Sequence, residues 1–478
     1  MIFNSFSFLI FVTLVFVIYW KINSKHILSK NLILLISSYI FYGLWDYTFL
    51  FLLIFSTLLD YFSGIKIFNS KKNKKKIWLI TSISINLGLL FFFKYFNFFI
   101  QNFKTLFSKL GLELELSTLN ILLPIGISFY TFHGLSYVID IYRNKIDPEK
   151  NIINYSLFVS YFPLLVAGPI ERATHLLPQL KNTRHFSYKI AANGMKQILW
   201  GLFIKIVIAD NCANYVDNVF NFESARNGSS LFIASVLFAF QIYCDFSGYS
   251  NIASGVSRLF GIELIKNFNF PYFSRDISEF WRKWHISLSS WFRDYVYIPL
   301  GGSKRGKFRN VINIFIIFLI SGFWHGSNWT FIFWGFLNAL YFIPLLLTNK
   351  NRIHLDEIYL VDFKQKVVVL FQILFTFFLV VIGWIFFRSP NIDSAFRIIS
   401  KIFSSEIFDN PTISPLLSTI LLVVVMVLIE WFSRNDDFAI EKIDKLLSSK
   451  LRYIFYFLLI FSLFWFAGEE QQFIYFQF

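Results

Sequence analysis

Twelve predominantly apolar stretches alternate with short polar segments along the chain, and most of them approach the about 20 residues that a helical membrane span requires. They lie at about residues 2–20, 31–45, 47–65, 77–99, 120–139, 195–213, 230–249, 310–324, 327–347, 366–387, 414–432 and 453–468. Lipid offers no hydrogen-bond partners, so a spanning segment must satisfy its own backbone, which favours helices. The pattern therefore predicts an all-α polytopic membrane protein with about 11–12 transmembrane helices.

Two of these stretches, 310–324 and 327–347, are together too long for a single span and are predicted to form a helical hairpin. Glycine, serine and asparagine between residues 321 and 328 supply the bend. A further apolar segment, 156–170, is too short for a span and ends in Gly168-Pro169-Ile170. That segment is predicted to be re-entrant or interfacial.

Composition supports a membrane protein and excludes other classes. The 478 residues are 56% hydrophobic and 15% charged, whereas soluble domains carry about 25% charged residues. This balance excludes a soluble enzyme, a disordered chain and a secreted disulfide scaffold. Cys212 and Cys244 show no metal-binding spacing, so no metal site is predicted. Because the sequence contains no internal repeat, residues 1–478 are predicted to form a single membrane domain.

The net charge of +15 comes from basic residues that gather between the apolar stretches. Such loops mark the cytoplasmic side of membrane proteins, so the charge predicts topology and no nucleic-acid partner. The densest cluster, six lysines within residues 66–76, places that loop in the cytoplasm. Alternation from there puts residues 258–309 in the cytoplasm and both chain termini on the extracytoplasmic side.

Residues 265–310 have the pattern of neither a span nor an ordinary loop. Asp276 followed by Glu279 is a variant of a helix-capping pattern. Apolar residues and one histidine then recur at helical spacing on one face: Trp281, Trp284, His285, Leu288, Trp291 and Phe292. With Arg282 on its flank, the segment is predicted to be an interfacial amphipathic helix. His285 is then either hydrogen-bonded within an aromatic interface or part of a functional site.

His325 lies at the bend of the predicted hairpin, between Gly322 and Gly326. Ionisable groups inside membrane segments are costly and usually face a protein interior or a water-filled cavity. Histidine titrates near neutral pH, so His325 can act as a general base that takes a proton from a hydroxyl. The alternative is a buried neutral histidine with a backbone partner.

Three further ionisable residues are singled out by their positions. Asp245 lies inside the stretch 230–249 and is a candidate for an ion pair or a helix contact. Glu171 and Arg172 directly follow the segment 156–170 and can pair with each other or cap a re-entrant turn. Serine nucleophile elbows and phosphate loops are absent from the sequence. If the protein is an enzyme, it therefore offers a base rather than an obvious nucleophile.

At these residues the sequence resembles the membrane-bound O-acyltransferase family, in particular its bacterial branch of alginate and peptidoglycan O-acetyltransferases. The matching segments lie between about residues 120 and 335, at 124–132, 167–172, 243–250, 269–302 and 321–326. The most specific feature is a pair of histidine motifs, the first of which reads Trp281-Arg282-Lys283-Trp284-His285.

The resemblance implies that His325 is the catalytic histidine and that His285 lines or shapes the same cavity. It implies supporting roles around that cavity for Trp281, Arg282, Trp284, Trp324, Asp245, Glu171 and Arg172. It also implies a ring of helices around a thinned centre, with re-entrant and interfacial helices. A cytoplasmic opening would admit an acyl-thioester donor, expected to be acetyl-coenzyme A, with no bound cofactor. The basic residues 258–309 would then form the donor-side wall.

The chain ends in an aromatic tail, residues 469–478, that contains Tyr475. Related envelope-acylating systems use a similar tail with a tyrosine as an acyl relay, and the resemblance implies that role here. A phenol is a poor nucleophile because its pKa is near 10, so Tyr475 would need deprotonation by His325. The alternative role is an aromatic anchor at the membrane interface.

The sequence and its resemblance thus predict a multi-pass O-acyltransferase of the bacterial cytoplasmic (inner) membrane, surrounded by lipid. It would move an acyl group, expected to be acetyl, to a hydroxyl of an extracytoplasmic polysaccharide, either peptidoglycan or an alginate-like polymer. A separate extracytoplasmic, esterase-like acetyltransferase is expected as its partner. The alternatives are D-alanyl transfer to teichoic acid, a transporter, and a non-catalytic scaffold for envelope enzymes.

Overall fold

The computed structural model describes residues 3–113, 115, 117–166, 168–356, 358, 362–467 and 473–474. Over these residues the chain is helical and contains no strand, which confirms the predicted all-α class. The chain divides into two compact units, one of Met1–Ala191 with Val256–Leu264 and the other of Ala192–Gly255 with Ile265–Phe478. The single-domain organisation stays a prediction.

The helices follow one another through mostly short connections. In chain order they are α1 (Phe6–Lys21), α2 (Ile27–Gly43), α3 (Tyr47–Asn69), α4 (Lys72–Leu90), α5 (Phe96–Lys109), α6 (Ile127–Tyr142), α7 (Ile152–Ser160), α8 (Phe162–Leu165), α9 (Ala173–Lys181), α10 (Tyr188–Leu202), α11 (Asp210–Phe220), α12 (Gly228–Leu259), α13 (Ile277–Lys283), α14 (Ile286–Phe292), α15 (Lys307–His325), α16 (Trp329–Leu347), α17 (Phe363–Arg388), α18 (Ile392–Ile402), α19 (Leu417–Phe432), α20 (Ile443–Leu446) and α21 (Ser449–Trp465). Within the described residues, π-helical turns extend them at Phe91–Tyr95, Phe203–Ala209 and Arg293–Tyr297. Short 3₁₀ turns of the same described part lie at Glu223–Ala225, Pro271–Phe273 and Ser405–Phe408.

Each of the twelve predicted stretches contains a helix. Seven helices of the described part of the chain are long and apolar enough to cross a membrane: Tyr47–Asn69, Lys72–Lys109, Tyr188–Phe220, Gly228–Leu259, Lys307–His325, Trp329–Leu347 and Phe363–Arg388. Four shorter apolar helices accompany them, at Phe6–Lys21, Ile27–Gly43, Ile152–Leu165 and Leu417–Phe432. The protein is therefore a polytopic membrane protein, as the sequence predicted.

In the first unit, the helix of the stretch 120–139 begins later than predicted, at Ile127. Gly126, just before it, has a φ of 73°, in the left-handed region. A Cβ at this position would lie only 2.1 Å from the carbonyl oxygen of Leu165. Glycine therefore permits both this turn and the close approach of α8. The segment predicted to be re-entrant or interfacial consists of α7 and α8, and its residues 155–165 are buried.

In the second unit, α15 and α16 form the hairpin that the sequence predicted, with the bend between His325 and Trp329. Two glycines let the helices pack closely. A Cβ on Gly322 would lie 2.2 Å from the Phe331 carbonyl oxygen, and one on Gly335 would lie 2.2 Å from the Phe318 carbonyl oxygen. Larger residues at either position would push the helices apart, which would move His325 at the end of α15.

The predicted amphipathic helix after Asp276 is wrong in one respect, because it is not continuous. The chain breaks between α13 and α14, where Trp284 is extended and His285 has a φ of 43°. Two backbone hydrogen bonds hold the break: the Asn269 N–H donates to the Lys283 carbonyl (3.0 Å), and the Ile286 N–H donates to the Asn267 carbonyl (2.8 Å). The break turns His285 into the interior, where it is 1% exposed.

Candidate active site

His325 is the last residue of α15, and aromatic rings surround its imidazole. The ring centroids of Trp324, Trp334 and Phe387 lie 4.9, 5.1 and 5.2 Å from that of His325. The side chain is buried, with 4% exposure. An apolar wall of this kind excludes bulk water and strengthens any electrostatic interaction made inside it.

His285 is held by a polar network that fixes its tautomer. Its Nδ1 lies 2.9 Å from Asn267 Oδ1, which also accepts a hydrogen bond from the Ser287 hydroxyl (2.8 Å). Asn267 Nδ2 donates to Ser250 Oγ (3.1 Å), so the amide oxygen faces the histidine. Nδ1 must therefore carry the hydrogen, and Nε2 presents its lone pair. Nε2 is buried and has no hydrogen-bond partner within the described residues.

The predicted signature residues share one aromatic wall. The Trp324 ring lies 6.1 Å from that of His285 and 4.9 Å from that of His325, so it is a neighbour of both histidines. Trp281 lies 5.6 Å from the Trp334 ring, which itself contacts His325. The Trp284 ring is 1% exposed and lies 4.9 Å from that of Trp384. The structure thus brings together both histidines and three predicted tryptophans.

Charged residues of α13 hold the chain that carries His285. Glu279 accepts hydrogen bonds from the Arg275 side chain (3.0 and 3.1 Å) and pairs with Lys283 (2.9 Å). Burial alone would raise the pKa of the Glu279 carboxyl, but these two cations bring it below its usual value. Arg282 donates to the Ser278 hydroxyl and to two backbone carbonyls of residues 351 and 354. Arg282 therefore has a bracing role in this structure.

A cavity of about 450 Å³ lies beside α13 and is lined by residues of both charges. Its charged residues are Lys266, Arg282, Lys283 and Arg434, with Glu279, Asp356, Asp436 and Asp437. Lys266 Nζ donates to Asn269 Oδ1 (2.9 Å) and to the Asp436 carbonyl (3.0 Å). Burial lowers the pKa of Lys266 to about 8, despite the nearby carboxylates. A lysine with this pKa is cationic at neutral pH and titrates just above it.

Asp245 forms the ion pair that the sequence suggested, with Lys205 Nζ at 2.8 Å. The next residue of α12, Phe246, places its ring 4.7 Å from His285. Tyr475 lies outside the described residues. The part of the tail that is described, Phe473 and Ile474, is buried within the second unit.

Glu171 and Arg172 belong to the first unit. Glu171 Oε2 lies 2.8 Å from His175 Nδ1, and the hydrogen bond with this carboxylate raises the pKa of His175. The Glu171 N–H also donates to His133 Nε2 (3.1 Å). Arg172 precedes α9 at the N-cap position without a side-chain capping bond.

The sequence analysis missed one residue that orients His285 and two buried ionisable residues that lie outside the candidate active site. Asn267, which orients His285, is an ordinary polar residue of a loop and carries no local signal. Lys205 and Glu430 are different, because each is an ionisable residue inside a predicted span and could have been singled out as Asp245 was. Glu430 accepts a hydrogen bond from the Tyr243 hydroxyl (2.9 Å). The described residues contain no group of three or more histidine, cysteine or acidic side chains that could hold a metal ion.

Comparison with known proteins identifies the family. The model of the MBOAT, or membrane-bound O-acyltransferase, family matches residues 143–388. A probable alginate O-acetylase AlgI of Pseudomonas putida is 37% identical over 407 residues, covering 84% of this chain and 80% of that protein. A peptidoglycan O-acetyltransferase of Helicobacter pylori is 36% identical over 405 residues, covering 79% and 74%. A teichoic acid D-alanyltransferase of Streptococcus thermophilus is 29% identical over 248 residues, covering 49% and 60%. The chain therefore belongs to the membrane-bound O-acyltransferase family and is an acyltransferase.

Proposed function

We propose that this enzyme transfers an acetyl group from a cytoplasmic thioester to a hydroxyl of an extracytoplasmic polysaccharide. The support is the similarity, over about four fifths of the chain, to proteins named for O-acetylation of alginate and of peptidoglycan. The D-alanyltransferase match is weaker and covers half of the chain, which favours acetyl over D-alanyl transfer. A transporter or a non-catalytic scaffold does not account for membership of an acyltransferase family.

His325 is the proposed general base, and the observation that carries this role is its place in the same aromatic wall as His285. The imidazole takes the proton of the attacking hydroxyl as its oxygen bonds to the thioester carbonyl carbon. The tetrahedral intermediate then expels the thiolate, which receives the proton from the imidazolium. His285, with Nε2 as an acceptor, would line the cavity and orient the hydroxyl or the donor.

The donor is proposed to enter at the cavity beside α13. Acetyl-coenzyme A is the donor that the family resemblance implies, and lysines of the cavity could bind its phosphates. Lys266 and Lys283 both line this cavity, and we expect these two cations to contact the donor, while Arg282 braces the wall through backbone carbonyls. The donor's thioester end would point along α13 toward Trp284 and His285.

Tyr475 is the proposed acyl relay between donor and polymer. Its hydroxyl would attack the thioester with His325 as the base, and the resulting tyrosyl ester would then be attacked by the next acceptor. Supporting this role, the preceding residues Phe473 and Ile474 lie buried against α12, the helix that contacts His285. Detection of an acetyl group on the C-terminal peptide of donor-trapped enzyme tests the relay directly.

The acceptor is proposed to be peptidoglycan or an alginate-like polymer, reached through an extracytoplasmic, esterase-like transferase. This arrangement requires the tail on the extracytoplasmic side, which agrees with the topology predicted from the basic loops. The proposed location is the bacterial cytoplasmic membrane, with both termini outside.

The function is tested by measuring ester-linked acetate on envelope polymers. Acetate released by mild alkali from purified peptidoglycan and exopolysaccharide is compared in cells with and without the protein, and in cells carrying His325→Ala. General base catalysis contributes about 10²–10⁴ in rate. His325→Ala should therefore lower polymer acetate to the background level of cells without the protein.

The matched control is His26→Ala, because His26 is exposed and makes no capping bond at the start of α2. It should retain the acetate content of the wild type at equal protein level in the membrane. Wild-type acetate content with His325→Ala would refute the catalytic role, and equal acetate with and without the protein would refute the function.

A further inference from the structure

A buried ion cluster in the second unit joins two spanning helices. Lys205 Nζ lies 2.6 Å from Asp210 Oδ1 and 2.8 Å from Asp245 Oδ1, and all three side chains are buried. A Cβ on Gly248 would lie 3.0 Å from the Lys205 Cβ, so glycine allows this close approach of the helices. Buried charges inside a membrane protein are costly, so this cluster is a candidate for a function beyond packing.

The second oxygen of Asp245 contacts the C-terminal tail. The backbone N–H of Ile474 donates to Asp245 Oδ2 at 2.7 Å. One residue earlier, the Phe473 ring lies 4.3 Å from Tyr249 and 5.9 Å from Phe246, both on α12. Phe473 and Ile474 are 0% and 3% exposed, so this part of the tail is enclosed by protein. A buried backbone N–H needs an acceptor, and Asp245 supplies one.

We propose that Asp245, held by Lys205, is the docking residue for the C-terminal tail. The carboxylate uses Oδ1 for the lysine and Oδ2 for the tail, so the ion pair orients the acceptor that receives the Ile474 N–H. The contact fixes the backbone immediately before Tyr475. Asp245 is thus a positioning residue, and only the use of the docked tail as an acyl relay rests on the proposed function.

The docking contact is coupled to the candidate active site through α12. The ring of Phe246, which follows Asp245, makes an edge contact with that of Phe473 (5.9 Å between centroids) and lies 4.7 Å from that of His285. The tail and the second histidine therefore share a neighbour. A tail that leaves Asp245 would also lose its contact with Phe246, which explains why docking would affect transfer without Asp245 touching the substrate.

Hydrogen exchange of the purified full-length protein measures docking without reference to activity. Asp245→Asn should speed exchange in the C-terminal peptide about tenfold or more, because the amide has an NH2 donor in place of one of the two carboxylate oxygens. Its single oxygen is drawn to the Lys205 cation, and the NH2 group left toward the Ile474 N–H cannot accept a hydrogen bond. Glu430→Gln is the matched control, since it also removes a buried carboxylate next to α12 while its amide oxygen can still accept from Tyr243. Unchanged tail exchange in Asp245→Asn, or equal acceleration in both variants, would overturn the proposal.

A second pair of variants leaves the ion cluster intact. Ile474→Pro removes the N–H donor itself, whereas Ile474→Val keeps the donor and most of the side chain. Ile474→Pro should speed exchange of the neighbouring tail amides as Asp245→Asn does, and Ile474→Val should not. Both changes break the same hydrogen bond, from the Ile474 N–H to Asp245. Adding Asp245→Asn to Ile474→Pro should therefore change the exchange rate of the tail amides less than about twofold. Fully additive effects would show that Asp245 does not act through the tail.

The acyl relay is read separately, from the acetyl content of Tyr475 in donor-trapped enzyme. Loss of that label in Asp245→Asn, with wild-type label in Glu430→Gln, is expected. Faster tail exchange in Asp245→Asn with no label in the wild type would support the docking residue and refute the relay. The two proposals can therefore fail independently.

Discussion

Two buried histidines, His133 in the first unit and His285 in the second, are both 1% exposed but differ in how their nitrogens are used. His133 Nε2 accepts the Glu171 N–H at 3.1 Å, and Nδ1 lies 3.5 Å from the Val159 carbonyl. His285 Nδ1 is held by Asn267, while Nε2 has no partner within the described residues. His133 therefore resembles the buried, satisfied histidine that the sequence analysis considered as an alternative, and His285 does not.

The difference shows that burial does not separate a structural histidine from a functional one. Backbone groups use both nitrogens of His133, so its imidazole has no lone pair left for a substrate. At His285 a side-chain amide fixes the tautomer, and the remaining lone pair, on Nε2, is buried and has no hydrogen-bond partner within the described residues. Unsatisfied buried polar atoms are rare and are expected at sites where a ligand supplies the missing partner.

The strongest test of this comparison replaces each histidine with alanine. His285→Ala should lower acyl transfer per enzyme molecule by about a hundredfold while the protein still reaches the membrane, because the nitrogen that orients the hydroxyl or the donor is lost. His133→Ala should instead lower the amount of folded protein, since an unpaired buried N–H costs about 1–3 kcal/mol. Polymer acetate and membrane protein level are measured on the same cells.

The comparison would be wrong if the two variants behaved alike. A folded His285→Ala enzyme with wild-type turnover would make His285 a packing residue. A His133→Ala enzyme that folds normally but fails to transfer would place His133 in the catalytic machinery.

Asn267→Ala should have a smaller effect than loss of the histidine itself. Without the amide oxygen, the His285 proton can move between the two nitrogens and the ring can rotate, so the productive tautomer is less populated. Groups that orient metal-bound histidines typically contribute about 10–100-fold, and we expect a decrease in transfer of similar size here. Asn267→Asp retains the acceptor and should shift the pH profile of transfer, whereas a purely structural role would change protein level alone.

The sequence predicted the helices well because every span in lipid needs about 20 apolar residues and must satisfy its own backbone hydrogen bonds. The hairpin of α15 and α16 followed from its length and its glycines, and the structure confirms it. The continuous helix across Trp284 and His285 was wrong because the aromatic spacing continues through the break. The positive φ of His285 cannot be predicted from such a pattern, because the residue is not a glycine.

Without the family resemblance, the site was predictable only where a single residue differs clearly from its sequence neighbours. His325 and Asp245 could be recognised because each is ionisable within an apolar stretch. The Asn267 contact with His285 and the Asp245 contact with Ile474 join residues distant in sequence, 18 and 229 positions apart. Such pairs depend on how helices pack, and no local pattern of a single sequence encodes them.

The pH dependence of the KM for the donor should distinguish the cavity that contains Lys266 from the uncharged hydrogen-bond network around His285. We expect a several-fold effect. The pKa of Lys266 is about 8, so the side chain is charged at pH 7 and largely neutral at pH 9. If Lys266 binds the anionic donor, the KM for the donor should rise several-fold between these pH values. Lys266→Arg stays protonated throughout and should flatten this rise. A KM that rises equally in wild type and variant would remove Lys266 from donor binding.

A third histidine, His175, provides the smallest test, because it contrasts a titrating histidine of the first unit with the satisfied His133. The Glu171 carboxylate raises the pKa of His175 above its ordinary value of 6.5, so the folded state holds this proton more tightly than the unfolded state. The contribution to stability is complete below pH 6.5 and is lost as the pH rises through the folded pKa. Since His175 is partly exposed, the pair is screened, and raising the pH from 6 to 8 should lower the thermal unfolding midpoint by about 1 °C.

His175→Gln removes the titrating group, so scanning fluorimetry of the two proteins should show a smaller decline in the variant. Parallel curves would mean that the pair does not stabilise the folded protein.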